Sequence, residues 1–218
     1  MLLYNPRMKE FEVLLTDIDG TIINTRDYIF FAFQYAIERY SGAKIDWEQF
    51  IPFFGKPARD ILRQFTGLSD VESVYGYVNE FQAENTHLIS PFPGSAETLE
   101  QLRAKGVKIA GITSRTFNTR LVLDSAGIYH LFDVVITGDD VKNYKPHPEG
   151  LYKALNHLSI TSARAIMMGD AMDDILAGKN AGIKTIGVTY GALGEKIREH
   201  NPDFVINDIT EALAIVAG

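Results

Sequence analysis

Cysteine is absent from the 218 residues. That excludes disulfides, thiolate metal sites and a catalytic cysteine, and it suits a reducing cytosol. Histidine is sparse and scattered: His87, His130, His147, His157 and His200 include no pair at metal-ligand spacing. No apolar run approaches the ~18 residues of a membrane span. The opening MLLYNPRMKE is too short and too polar for a secretion signal. Basic charge is in deficit, 21 Lys and Arg against 28 Asp and Glu, for a net charge of −7. A basic face for nucleic acid is therefore not expected. GKNAG lacks the glycine spacing of a phosphate-binding P-loop, and no internal repeat or low-complexity segment is present. These absences suggest a cytoplasmic protein with neither membrane nor nucleic acid as partner; a monomer or a homodimer is expected.

What is present is the composition of an ordinary globular chain, 46% hydrophobic and 22% charged, and a recurring pattern. A short apolar run is followed by a polar or glycine-rich turn and then a helical stretch. The runs are FEVLLTD (11–17), VKIAGITS (107–114), DVVITGDD (133–140), RAIMMGD (164–170), KTIGVT (184–189) and DFVINDI (203–209). They do not alternate apolar with polar, which predicts strands buried on both faces. Helix-like stretches such as SAETLEQLRAKG, NTRLVLDSAG and PHPEGLYKALNHL lie between them. Strands alternating with helices predict an α/β fold, a Rossmann-like doubly wound parallel sheet. Residues 22–90 break the pattern: RDYIFFAFQYAIERYSG, WEQFIPFFGKPARDILRQFTG and VESVYGYVNEFQAENTHLI carry apolar residues at helical spacing. The expected organisation is a core of residues 1–21 and 91–218, with an all-helical domain, 22–90, inserted after the first strand.

Ligands of open parallel sheets bind beyond the carboxyl ends of the strands. The first run ends on Asp17 and Asp19, the second on Thr113-Ser114-Arg115. The third leads into Asp139-Asp140 and then Lys145-Pro146-His147-Pro148. The fourth ends on Gly169-Asp170, with Asp173 and Asp174 behind. On neighbouring strands these groups converge as several carboxylates, one hydroxyl and one lysine. Clustered carboxylates repel, and a hard dication such as Mg²⁺ relieves the repulsion while leaving room for water and phosphate oxygens. Lys and Thr would hold the remaining phosphate oxygens. Asp17 would attack phosphorus, and Asp19 would serve as acid and then base. Gly20 would let the chain turn away sharply. Asp173 reads as a first-turn helix acid, Arg115 as a surface charge or a phosphate contact, and His147 as a motif-loop residue that could touch substrate but more often would not.

DIDGT, TSR, KPHP and GDAMDDILAGKNAG, in this order, resemble the four motifs of the haloacid dehalogenase-like hydrolase superfamily. The insert after the first motif is similar to the helical cap of its phosphoglycolate phosphatase and inorganic pyrophosphatase branch. The resemblance implies Asp17 as phosphorylated nucleophile and Mg²⁺ ligand. Asp19 would be the acid/base and a ligand through its main-chain carbonyl, and Asp170 the third protein ligand. Thr113, the Ser114 N–H and Lys145 would bind phosphate, and Asp174 would stand behind them, holding Lys145 or a metal-bound water. Asn often follows the Thr in this family, where Ser114 stands here. PFFGKPARDIL resembles a substrate-specificity loop, with Gly55 at its turn and Lys56 or Arg59 facing the leaving group. The implied activity is hydrolysis of a small phosphorylated metabolite, phosphoglycolate-like or pyrophosphate. A β-phosphoglucomutase-like mutase and a non-catalytic phospho-receiver-like regulator are the alternatives.

Overall fold

The computed structural model describes residues 10–116 and 118–218. Most of the opening segment, in which no secretion signal is expected, lies outside them. The strands are β1 (Val13–Thr16), β2 (Ile23–Asn24), β3 (Ser90–Pro91), β4 (Lys108–Ile112), β5 (Val134–Ile136), β6 (Ala165–Gly169), β7 (Lys184–Val188) and β8 (Phe204–Ile206). The helices are α1 (Arg26–Ser41), α2 (Trp47–Phe50), α3 (Ala58–Thr66), α4 (Glu72–Glu84), α5 (Ser95–Ala104), α6 (Thr119–Ser125), α7 (Glu149–Leu158), α8 (Met172–Asn180) and α9 (Ala212–Ala217).

Six strands form one parallel sheet in the order β5-β4-β1-β6-β7-β8. Every residue of β1 and β6 is buried. The reason is visible in the two packing layers. Leu14, Ile109, Ile166 and Met168 point to the face covered by α5, α6 and α9. Val13, Leu15, Ala110, Ala165 and Met167 point to the opposite face, under α7 and α8. Each strand must be apolar on both sides, so alternation is lost. From β1 the chain steps to β4 and β5, then returns across β1 to β6, β7 and β8. The direction reverses beside β1, so the crevice of this sheet opens at the carboxyl ends of β1, β4 and β6.

The chain leaves this core through β2 and returns through β3, an antiparallel pair with Asn24 opposite Ser90. Between them, α1 to α4 enclose a separate aromatic core. Phe50, with no exposed surface, meets the Phe33 ring at 5.3 Å and Phe30 at 5.6 Å. Such ring pairs add to the free energy of simple burial.

Two local features refine the sequence reading. Within WEQFIPFFGKPARDILRQFTG, α2 and α3 are separated by a 3₁₀ turn, Ile51–Phe53, and by Gly55 at φ +85°, where the turn was expected. Pro52 and Pro57 lack the N–H a continuous helix needs. The third apolar run extends only over β5. Thr137 donates its N–H and hydroxyl to Asp140 Oδ2 at 2.8 and 2.7 Å, closing a 3₁₀ turn over Gly138–Asp140. Among the described residues, no helix is long and apolar enough to cross a membrane.

Candidate active site

β1 delivers Asp17 to the crevice. The Asp17 N–H still joins the sheet, donating to the Met168 carbonyl at 2.8 Å, while its carboxylate is buried. The N–H groups of Ile22 and Ile23 then fold back onto the Ile18 carbonyl, both at 3.0 Å. Gly20 sits in this turn at φ +83°, and a Cβ there would stand 2.3 Å from Asp170 Oδ2. Both conformation and space therefore demand glycine. Asp170 follows β6. Its Oδ2 accepts the Ala192 N–H at 2.7 Å, and its Oδ1 accepts the Thr21 hydroxyl at 3.4 Å. Asp174 lies in the first turn of α8 and accepts the Ala171 N–H at 3.0 Å.

Lys145, on the loop before α7, ties these elements together. Its Nζ donates to Asp17 Oδ1 and to Asp174 Oδ1, each at 2.6 Å, and to the Ile112 carbonyl at 3.1 Å. Burial opposes its charge, but Asp17 and Asp174 outweigh burial and raise its pKa. Carboxylate oxygens of Asp17, Asp170 and Asp174 lie within 4.8 Å of one another, an arrangement able to hold a metal ion. Burial pushes the Asp17 carboxyl well up; Lys145 pulls it back, and Asp174, Asp170 and Asp19 add to the rise. Burial and Asp174 likewise push Asp170 from an ordinary 3.8 up to about 7.

Asp19 faces the same space but is held differently. Arg115 Nε donates to its Oδ2 at 2.7 Å and Nη2 to its Oδ1 at 2.8 Å, and the Thr25 hydroxyl donates to Oδ1 at 2.7 Å. Both side chains of the ion pair are 9% exposed. Arg115 is thus neither a surface charge nor, in this arrangement, free to meet phosphate. Thr113 follows β4 in a buried position, and its Oγ1 accepts the Arg115 N–H at 3.1 Å.

The helical insert sits over these groups and covers a cavity of about 200 Å³, lined by Asp17, Asp19, Lys145, Asp170 and Asp174 from the sheet side. Gly55, Lys56 and Arg59 line it from above. Besides Thr25 on Asp19, several polar contacts tie the insert to the sheet side. The Ser114 hydroxyl donates to the Gly55 carbonyl at 2.7 Å, and Lys56 pairs with Asp173. Tyr75 Oη and Thr116 Oγ1 lie 3.1 Å apart, and Asn118 Nδ2 donates to Gln82 Oε1 at 2.7 Å. Asp173 is therefore a seam residue as well as a first-turn acid. Arg59 turns sideways to Glu72, Nε to Oε1 at 2.6 Å and Nη2 to Oε2 at 3.0 Å, with its guanidinium 4.4 Å from the Tyr75 ring centre.

Three residues of the strand-end loops stand apart from the cavity. Asp139 and Asp140 are exposed, the latter spent on its own turn. His147 is exposed, and its Nδ1 accepts the Glu149 N–H at 3.2 Å. Conversely, nothing in sequence spacing marked Arg115 as the partner of Asp19, or Tyr75, Thr116 and Gln82 as seam residues.

A parallel sheet switching direction beside a strand that ends in DxDGT, with a lysine bridging two buried aspartates, defines a hydrolase of one class. The model of the haloacid dehalogenase-like hydrolase family matches residues 14–188, and the chain belongs to that family. The Pyrophosphatase PpaX of Halalkalibacterium halodurans is 36% identical over 209 residues, 95% of this chain and 97% of the relative. The Pyrophosphatase PpaX of Bacillus pumilus is 33% identical over 93% of this chain and 95% of its own. Among solved structures, a predicted phosphoglycolate phosphatase from Haemophilus somnus superposes with a TM-score of 0.86 at 25% identity, covering 95% of this chain and 99% of its own.

Gly20→Ala is expected to lower unfolding stability by about 1–3 kcal/mol, from backbone strain at positive φ together with displacement of Asp170. Urea unfolding followed by circular dichroism measures it; an unchanged midpoint would contradict the contact between Gly20 and Asp170.

Proposed function

We propose that this chain is a Mg²⁺-dependent phosphatase that hydrolyses small phosphorylated anions through an aspartyl-phosphate on Asp17, with residues 22–90 as a cap. The observation that carries the reading is Asp17 and Asp19 on the wall of one cavity between the sheet and the insert, with Lys145 clamped on Asp17. The volume, about 200 Å³, lies below the ~300–1,000 Å³ of sites for drug-sized ligands. It suits a small metabolite, and the two pyrophosphatase relatives put pyrophosphate ahead of phosphoglycolate.

The donor set fits Mg²⁺. Asp17, Asp170 and Asp174 offer only hard oxygens, and three carboxylates against the Lys145 ammonium leave two negative charges for a dication to balance. In our reading Asp17, Asp170 and the Asp19 carbonyl are the ligands, and Asp174 holds Lys145. When bound, the ion supplies charge neutralisation for a phosphoryl group brought among acids.

The chain's own residues then divide the work. A carboxylate oxygen of Asp17 forms a bond to phosphorus as the bond to the leaving oxygen breaks; the leaving oxygen keeps the electron pair and takes a proton from Asp19. Asp19, now ionised, takes a proton from water. That water's oxygen bonds to phosphorus, and phosphate departs from Asp17. Lys145 steadies the charge on Asp17 and on the phosphoryl oxygens, while Thr113 and the Ser114 N–H hold the phosphoryl group. The cap excludes bulk water, so the intermediate meets only the water that Asp19 activates.

The direct test is phosphate release in Mg²⁺ buffer from pyrophosphate, phosphoglycolate and hexose phosphates in parallel. Pyrophosphate or phosphoglycolate is expected to reach kcat/KM above ~10⁴ M⁻¹s⁻¹. Feeble release from all of them, or sugar phosphate conversion without free phosphate, contradicts the proposal.

A pH dependence of metal binding follows from Asp170. With its carboxyl pushed to about 7, the folded metal-free protein holds a proton that the unfolded chain releases near 3.8. The metal-free fold therefore loses stability as pH rises from about 4 towards 7. Below about 7 a cation must displace that proton; above it the carboxylate is ionised and uncompensated. Saturating Mg²⁺ should therefore raise Tm more at about pH 8 than at about pH 5.5 by differential scanning fluorimetry. An equal or reversed shift would contradict Asp170 as a ligand.

A further inference from the structure

Asp19 cannot act as an acid while it is held as this structure holds it. Its two oxygens accept three donors, two from Arg115 and one from Thr25, at 2.7 to 2.8 Å. A carboxylate bound fork to fork by a guanidinium is an acceptor on both oxygens, and none is left to carry a proton to a leaving group. Arg115 must let go before the leaving oxygen can be served.

The guanidinium is not free to let go without a replacement. It lies 9% exposed, 5.5 Å from the centre of the Tyr28 ring, and a buried cation deprived of its anion is strongly destabilising. The other cations of the cavity wall, Lys145 aside, are engaged in more exposed pairs: Lys56 with Asp173, Arg59 with Glu72 and Arg63 with Asp60. Glu72 and Asp60 are 60% and 61% exposed. Pairs of that kind contribute little and are screened by salt. Arg115 is the buried cation that stands against the acid/base rather than the nucleophile.

We propose that Arg115 exchanges partners on substrate binding: it leaves Asp19 for a second anionic group on the leaving side of the substrate, and that exchange frees Asp19 to protonate the leaving oxygen. The substrates so selected are phosphoryl compounds whose leaving group carries its own phosphate or carboxylate, as in pyrophosphate and phosphoglycolate. A phosphoester with a neutral leaving group offers the guanidinium nothing and leaves Asp19 held. The inference rests on the phosphatase reading above and names how that site chooses its substrate. Arg115 is then a binding residue for the second anion and a positioning residue for Asp19.

The test compares pyrophosphate with phenyl phosphate, whose leaving group is uncharged, in wild type, Arg115→Ala and Arg115→Lys, with Mg²⁺ present and folding checked by circular dichroism. In Arg115→Ala the ratio of kcat/KM for pyrophosphate over phenyl phosphate should fall at least about tenfold, with a higher KM for pyrophosphate. The kcat for phenyl phosphate should rise, because Asp19 is no longer held. Arg115→Lys keeps the charge but cannot span two oxygens, so its ratio should lie between the two, and it serves alone if the alanine variant does not fold. A fall of both substrates by one factor, or a lower kcat on phenyl phosphate, would show a structural strut and overturn the proposal. In that case wild-type turnover still stands and the phosphatase reading with it. Wild type inactive on every phosphate compound would overturn both.

Discussion

The Lys145 ammonium between Asp17 and Asp174 is the interaction on which this structure turns. It joins the end of β1, the loop before α7 and the first turn of α8 at a single point. Removing the ammonium would leave both carboxylates buried without a counter-charge, a cost far above that of an ordinary surface ion pair. The cluster cannot relax by moving apart either, because the Asp17 N–H is bonded into the sheet and Asp170 is wedged against Gly20. The excess negative charge is thus fixed in place, and it is what makes the site ready for a cation and a phosphoryl group.

The helical insert completes the site through polar contacts that carry little energy individually. Ser114 with Gly55, Lys56 with Asp173, Tyr75 with Thr116 and Asn118 with Gln82 close the seam. Each is one hydrogen bond or one partly exposed ion pair, and such interactions contribute about 0.5–1.5 kcal/mol net. The aromatic core around Phe50 holds the insert together independently of these contacts. Under the proposed function, an insert firm inside and lightly latched outside would lift and reseat as substrate enters and product leaves.

The sheet was legible in the sequence because strands buried on both faces lose alternation, as VLLT and AIMMG do, and because the strand ends carry the chemistry. Asp17, Lys145, Asp170 and Asp174 stood out for that reason, and the structure brings them together around one cavity. Pairings across long separations were not legible. Asp19 and Arg115 are 96 residues apart and Lys56 and Asp173 are 117 apart, and no local pattern encodes such distances. Lys56 or Arg59 was expected to face the leaving group; both line the cavity, Lys56 paired with Asp173 and Arg59 with Glu72, pairings invisible without the packing of the folded chain. Asp139 and Asp140 looked like further site acids because the third run was read on to residue 140, whereas β5 ends at Ile136. Their own Thr137 turn takes them to solvent.

The central claim is that Asp17 becomes phosphorylated during turnover. The most direct measurement is acid quenching of the enzyme in the steady state with ³²P-labelled pyrophosphate and Mg²⁺, followed by proteolysis and mass spectrometry of the peptide that contains TDIDGT. The account predicts one phosphoryl group on Asp17, labile to hydroxylamine and missing in Asp17→Asn. Turnover with no label on the protein, or label on another residue, would contradict it.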